Sequence, residues 1–171
     1  MTPSIYWVRE IEPLRFGIMA RPRSADWLED EILGWKSVGL AKVVSLLEPS
    51  EVGELGLEAE ASLCAAHSIN FEVFPIADRG TPNHPTAFLS VAAELASNVR
   101  SGSAVAVHCR AGIGRSGLLG ACVLSYLGVA RDETFAMLTR ARGVTVPDTA
   151  SQVEWLKNFC EVQKAVTIIQ P

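Results

Sequence analysis

Residues 108–117 read His108-Cys109-Arg110-Ala111-Gly112-Ile113-Gly114-Arg115-Ser116-Gly117. A thiol, two arginines, a hydroxyl and three glycines fall within ten residues. An apolar run precedes them and a long apolar segment follows, so the stretch reads as a loop between a strand and a helix. A tight loop opening a helix turns its backbone N–H groups inward and adds the positive end of the helix dipole, which makes a cradle for an anion. Gly112 and Gly114 permit the backbone angles and close approach that such a loop needs. Arg110, Ala111, Gly112, Ile113 and Gly114 are therefore candidate phosphate-binding positions. Arg115 adds a planar two-pronged donor that lysine could not imitate. The same field favours a thiolate, so Cys109 is the candidate nucleophile. Ser116 can donate a hydrogen bond to the sulfur as it leaves. Taken singly, a cysteine at a strand end is a small core residue, an arginine at a helix start is solvated, and a serine there is an N-cap. Taken together at this spacing, they read as one anion-binding catalytic loop.

A rival pattern runs through the same residues, because Gly112-x-Gly114-x-x-Gly117 satisfies the G-x-G-x-x-G dinucleotide fingerprint. That motif requires a second strand ending in an acidic residue further on. Only Leu127-Gly128-Val129-Ala130 precedes Asp132, and that reads as a helix end and a turn. The dinucleotide reading fails on context.

A thiolate expels an alkoxide or phenoxide poorly unless a general acid protonates the leaving oxygen. Asp78 is the candidate, in Pro75-Ile76-Ala77-Asp78-Arg79-Gly80-Thr81-Pro82, 31 residues before Cys109. A loop bearing Gly and Pro can close over a substrate, although the same residues also make a plain turn. Glu72 is the alternative acid, but its place within a strand reads as solvent-facing. Further on, Thr149 and Gln152 have capping-box spacing at the start of the last helix.

These residues need a scaffold, and the chain supplies alternating strand and helix patterns. β-Branched runs at residues 43–47, 71–74 and 104–107 end in turn residues, as buried strands do. Residues 5–8 and 16–19 are weaker strand candidates. Helical patterns cover Trp27 to Val38 and residues 52–66 (with Ser50 as N-cap after Pro49), 87–99, 116–127, 134–142 and 152–166. The alternation predicts a three-layer α/β domain, its central, mostly parallel sheet flanked by helices, with sites at the carboxyl ends of the strands.

The 171 residues are 49% hydrophobic and 20% charged, which suits one domain spanning residues 1–171. Fifteen Lys and Arg against 19 Asp and Glu give a formal charge of −4, which disfavours non-specific nucleic-acid binding. The longest uncharged run, residues 116–130, is too short to span a bilayer and reads as a buried helix. Cysteines stand at 64, 109, 122 and 160 and histidines at 67, 84 and 108. Neither set has metal-ligand spacing, so no metal site and no disulfide framework is expected. Cys64 and Cys122 lie in apolar helical patterns and read as core, although either could pair with an oxidised Cys109. Residues 1–12 hold Arg9, Glu10 and Glu12 and no apolar signal core, so a cytoplasmic location is expected.

The motif at 108–117 resembles the His-Cys-x5-Arg-Ser/Thr signature of the cysteine-based protein tyrosine phosphatases. Classical members are longer and carry a Trp-Pro-Asp acid loop. With Ile76-Ala77-Asp78 in that place, this chain is more similar to the compact dual-specificity group, and Pro75 to Pro82 to the cyclin-dependent-kinase-associated phosphatases. The resemblance covers roughly residues 43–162. It implies that Asp78-x-Gly80-x-Pro82 is the mobile acid loop, that Asp78 serves as acid and then base, and that Gln152 orients the hydrolytic water. It also implies a phosphorylated protein or peptide substrate and no metal or other cofactor. Inorganic phosphate or a similar oxyanion would be product and inhibitor, and no nucleic acid or membrane partner is expected. Lipid phosphatases of the superfamily tend to place lysines in the cradle where this chain has Ile113. The alternatives are a non-catalytic phosphoprotein-binding module and a phosphatase of phosphoinositides or RNA 5′-phosphates.

Overall fold

A computed structural model describes residues 4–169, with side chains described through Phe159, so Cys160 lies outside the described side chains. Five strands form one sheet in the order β1-β2-β5-β3-β4. They are β1 (Tyr6–Trp7), β2 (Phe16–Ala20), β3 (Leu40–Ser45), β4 (Asn70–Val73) and β5 (Ala104–Cys109). β1 runs antiparallel to β2, and the other pairings are parallel. β5 sits in the middle and is buried at every residue, which is why it reads as a continuous apolar run. Ala20 pairs with Cys109 and Ser45 with His108, so the parallel strands end at one edge of the sheet.

The side chains of β5 alternate between two cores. Val105, Val107 and Cys109 pack with α4 (Pro85–Arg100), α5 (Arg115–Tyr126), α6 (Arg131–Arg142) and α7 (Ala150–Ile169). Ala104 and Ala106 face α1 (Leu28–Ser37) and α3 (Glu60–Ala66). The expected three-layer α/β arrangement is therefore present. Residues Arg115 to Leu124 of α5 are all buried, which accounts for the uncharged run: a helix wrapped on all sides shows no polar face. Gly120 carries no side chain because a Cβ there would stand 3.2 Å from Leu138 and 3.3 Å from Ile18.

The helix expected over residues 52–66 is two helices, α2 (Pro49–Leu55) and α3. Gly56 stops α2 in the left-handed conformation at φ 65°, where glycine meets no Cβ penalty. The cap is Glu48, not Ser50. Pro49 occupies the first helical turn, and Glu48 and Glu51 make a reciprocal capping box, with Glu48 N–H donating to Glu51 Oε2 at 3.0 Å. Residues 127–130 hold no strand, so the second strand that a dinucleotide fold requires is missing.

Candidate active site

β5 delivers Cys109 to the carboxyl edge of the sheet, 3% exposed, with its Sγ 3.4 Å from Ser116 Oγ. The chain then curls through residues 110–114 into α5. Gly112 takes φ +69°, and a Cβ there would run into the backbone of Met19 and Ala20, so the loop lies directly on the end of β2. Arg142 of α6 holds the outer side of the loop, Nε donating to Gly112 O and Nη2 to Ala111 O, each at 3.2 Å. With these carbonyls turned outward, loop N–H groups are left for the inner side, as an anion cradle needs.

Arg115 is the most buried charge of the site, 2% exposed. Its Nη1 donates to Glu51 Oε2 at 2.5 Å and to Ile76 O at 2.9 Å, and its Nη2 to Glu51 Oε1 and Asp78 Oδ1, both at 2.9 Å. Burial opposes the charge, but the hydrogen bond from Arg115 to Glu51 and the charges of Cys109, Glu51 and Asp78 hold the guanidinium above its usual range. Glu51 is the counterpart. Burial would raise its carboxyl, yet the donors from Arg115, Glu48 N–H and Arg110 bring it down to about 2. One carboxylate thus fixes the plane of the guanidinium fork and aims its remaining edge at Asp78.

Asp78 stands on the loop after β4, and Arg79 beside it has φ +58°. Two further contacts hold this loop near the cradle. Gln152 Nε2 donates to Gly80 O at 3.0 Å, and Arg79 Nη1 lies 3.8 Å from Asp148 Oδ2. A cavity of about 150 Å³ opens between the two loops, lined by Asp78, Arg79, Cys109, Arg110, Ala111, Gly114, Arg115 and Asp148. Gly114 admits this closure: a side chain there would overlap Asp148 Oδ1 and stand 3.0 Å from both polar atoms of the Gln152 amide.

The expected residues fall into place unequally. Cys109, Arg115, Asp78, Arg110, Ala111 and Gly114 line one cavity. Gly112, Ile113 and Ser116 support it from within the loop and the helix start. Gln152 is buried beside Gly114, with Oε1 lacking any partner. Its backbone N–H donates to Thr149 Oγ1 at 3.3 Å, as a cap requires, but its side chain turns to the loop that carries Asp78 instead of completing the box. Arg110 differs most from the expected cradle cation, because its guanidinium is drawn to Glu51 at 3.2 Å and to Glu54 at 3.1 Å. Glu72 pairs with Lys42 at 2.9 Å on β4 and lines no part of the cavity. Sequence reasoning missed Glu51, Arg142 and Asp148. Only Glu51 left a trace, as the second acid of a Glu-x-x-Glu capping pattern after a strand.

A family model, "Swiss Army Knife protein, DSP-PTPase phosphatase domain", matches residues 6–163. The chain belongs to this family. Among relatives of the DSP-PTPase domain, it is 28% identical over 126 residues to cyclin-dependent kinase inhibitor 3 of Rattus norvegicus, covering 72% of this chain and 59% of that protein. It is 32% identical over 87 residues to the Homo sapiens protein of that name, covering 50% and 41%. The chain thus spans less than two thirds of these relatives' length. In fold, it is similar to kinase associated phosphatase with its catalytic-site cysteine substituted by serine, at TM-score 0.84 and 22% identity over 96% of this chain and 98% of that one. It is also similar to Tk-PTP in its active form, at TM-score 0.75 and 25% identity over 94% and 99%. PTPMT1 in complex with PI(5)P shares the fold at TM-score 0.71 and 20% identity over 90% and 94%.

Proposed function

We propose that residues 1–171 form a single phosphatase catalytic domain, a tyrosine or dual-specificity phosphoprotein phosphatase that works through a phosphocysteine on Cys109. The observation that carries this reading is the convergence of a thiol, a buried guanidinium and an acid-loop carboxylate on one small cavity. Binding alone would need only the cradle, so a nucleophile and an acid held together favour turnover over a phosphoprotein-binding module.

In the first step the Cys109 thiolate attacks phosphorus and the bond to the leaving oxygen breaks. Loop N–H groups and Arg115 hold the equatorial oxygens. The incoming phosphoryl group takes the Arg115 Nη2 edge that Asp78 occupies, which frees the Asp78 carboxyl to protonate the leaving group. In the second step water attacks phosphorus, its proton passes to Asp78, and the S–P bond breaks with Ser116 hydrogen-bonded to the departing sulfur. Gln152 Oε1, buried beside the cradle with no partner, is free to accept a hydrogen bond from that water. No step calls on a metal or another cofactor.

The rim charges favour a phosphorylated protein or peptide. Arg110 is neutralised by Glu51 and Glu54, and Asp148 adds a carboxylate at the mouth, so a second substrate phosphate finds little surplus positive charge. Two of the relatives carry kinases in their names, cyclin-dependent kinase inhibitor 3 and kinase associated phosphatase, which supports a protein substrate, whereas PTPMT1 in complex with PI(5)P supplies the phosphoinositide comparison for the test. No described helix is long and apolar enough to cross a membrane, and a reducing cytoplasm would keep Cys109 active. The test is a panel of phosphotyrosine, phosphoserine and phosphothreonine peptides with phosphoinositides alongside, assayed with chelator present. The expected result is higher kcat/KM on phosphopeptides; a preference for phosphoinositides would overturn the substrate class.

A further inference from the structure

Arg142 is the last residue of α6, and Gly143 ends the helix at φ +77°. A cation suits a helix carboxyl end, yet among the described residues no carboxylate pairs with this one. Its partners are the Gly112 and Ala111 carbonyls of the loop, each at 3.2 Å, and the ring of Tyr6, whose centroid lies 4.2 Å from Arg142 Cζ. Arg140, two residues earlier on the helix, is paired differently, with Glu10 at 2.7 Å.

The peptide bonds on either side of Gly112 are trans. In a trans peptide the carbonyl and the following N–H point in opposite directions. A donor that holds Ala111 O on the outer side therefore turns Gly112 N–H inward, and one that holds Gly112 O outward turns Ile113 N–H inward. One guanidinium sets both donors, which its planar fork allows and the point charge of a lysine does not. The loop needs such a contact at Gly112, because glycine leaves the backbone its widest freedom. Packing on Met19 and Ala20 limits where the loop lies, and the two hydrogen bonds set which way its peptide planes face.

Tyr6 fixes the arginine in turn. It pairs with Ile18 on β2, and its side chain packs against the same core as α6. A long arginine side chain has many rotamers, and a ring face under the guanidinium favours one of them. The contact uses the ring face, not the hydroxyl.

We propose that Arg142 and Tyr6 are positioning residues for the phosphate cradle: α6 and β1 together hold the Ala111 and Gly112 carbonyls outward, so the N–H groups of Gly112 and Ile113 are set for phosphoryl oxygens before substrate arrives. Neither side chain lines the cavity, so both act through the loop. The proposal rests on residues 110–114 being the phosphate-binding loop.

The experiment uses the full chain and a readout that needs no turnover, the calorimetric Kd for inorganic phosphate. Arg142→Ala is expected to weaken phosphate binding at least tenfold, the worth of hydrogen bonds from a charged donor. Guanidinium ion, added at a concentration that leaves the fold intact, should restore much of that affinity by refilling the space, which it would not do for a general loss of structure. Tyr6→Phe keeps the ring face and should bind phosphate within about twofold of wild type, whereas Tyr6→Leu keeps apolar bulk and should lose about fivefold. These two variants carry the test if Arg142→Ala does not fold. A folded Arg142→Ala protein with wild-type phosphate affinity, or a loss that guanidinium ion leaves unchanged, would overturn the proposal, as would a Tyr6→Leu protein that binds like Tyr6→Phe. Absence of phosphate binding by the wild-type chain would instead overturn the cradle reading beneath it.

Discussion

At Arg115 the chain buries a charge almost entirely, and Glu51 makes that possible. Two hydrogen bonds between them fix the fork, and removing the carboxylate leaves a buried guanidinium short of its main partner. Glu51→Ala is therefore expected to destabilise the fold by about 3 kcal/mol, since breaking one side of a buried pair strands the other charge, and to lower kcat along with it. Chemical denaturation and steady-state kinetics on the same samples check both. Asp78→Ala removes an exposed loop carboxylate instead. It should lower kcat by about 10²–10⁴-fold and leave inhibition by inorganic phosphate largely intact; unchanged turnover would move the acid elsewhere. Residues of the cradle were legible because they are consecutive in sequence and their types are uncommon in combination. Glu51 and Arg142 were not, since glutamate and arginine are ordinary surface residues and their partners lie 64 and 30 residues away.

Elements set the site by where they stop. β5 ends at Cys109, β2 ends against Gly112, and α5 begins at Arg115. Gly112→Ala should be inactive, because the left-handed φ and the Met19–Ala20 backbone both exclude a Cβ, so the loop must move. Loss of iodoacetamide reactivity at Cys109 together with a retained circular dichroism spectrum is the expected signature, and a fully active variant would contradict the close packing on β2. Gln152→Ala cuts the link from α7 to the acid loop and removes the unpartnered acceptor. It should slow the second step selectively, seen as a pre-steady-state burst of p-nitrophenol followed by slow turnover. The strands were readable from β-branched runs and the long buried helix from its missing charges. The break between α2 and α3 was not, because Glu-, Leu- and Ala-rich sequence on both sides of Gly56 keeps one helical composition while the backbone turns.

For the molecule as a whole, the net charge of −4 does not describe the site, where arginines are matched carboxylate by carboxylate. That matching gives stability a pH dependence. The Glu51 carboxyl is lowered from 4.5 to about 2 in the fold, so its contribution is present above pH 4.5 and is lost as pH falls toward 2. At about 1.4 kcal/mol per unit this amounts to about 3 kcal/mol at most. Urea unfolding between pH 6 and 2.5 should show this acid limb, and Glu51→Gln should flatten it. The central claim is the covalent intermediate. Incubation with a ³²P-labelled phosphotyrosine peptide, rapid denaturation and peptide mapping should find the label on the cysteine-109 peptide, with none in Cys109→Ser, which should also be inactive. Turnover that persists in Cys109→Ser, with no labelled cysteine in the wild-type protein, would contradict the account.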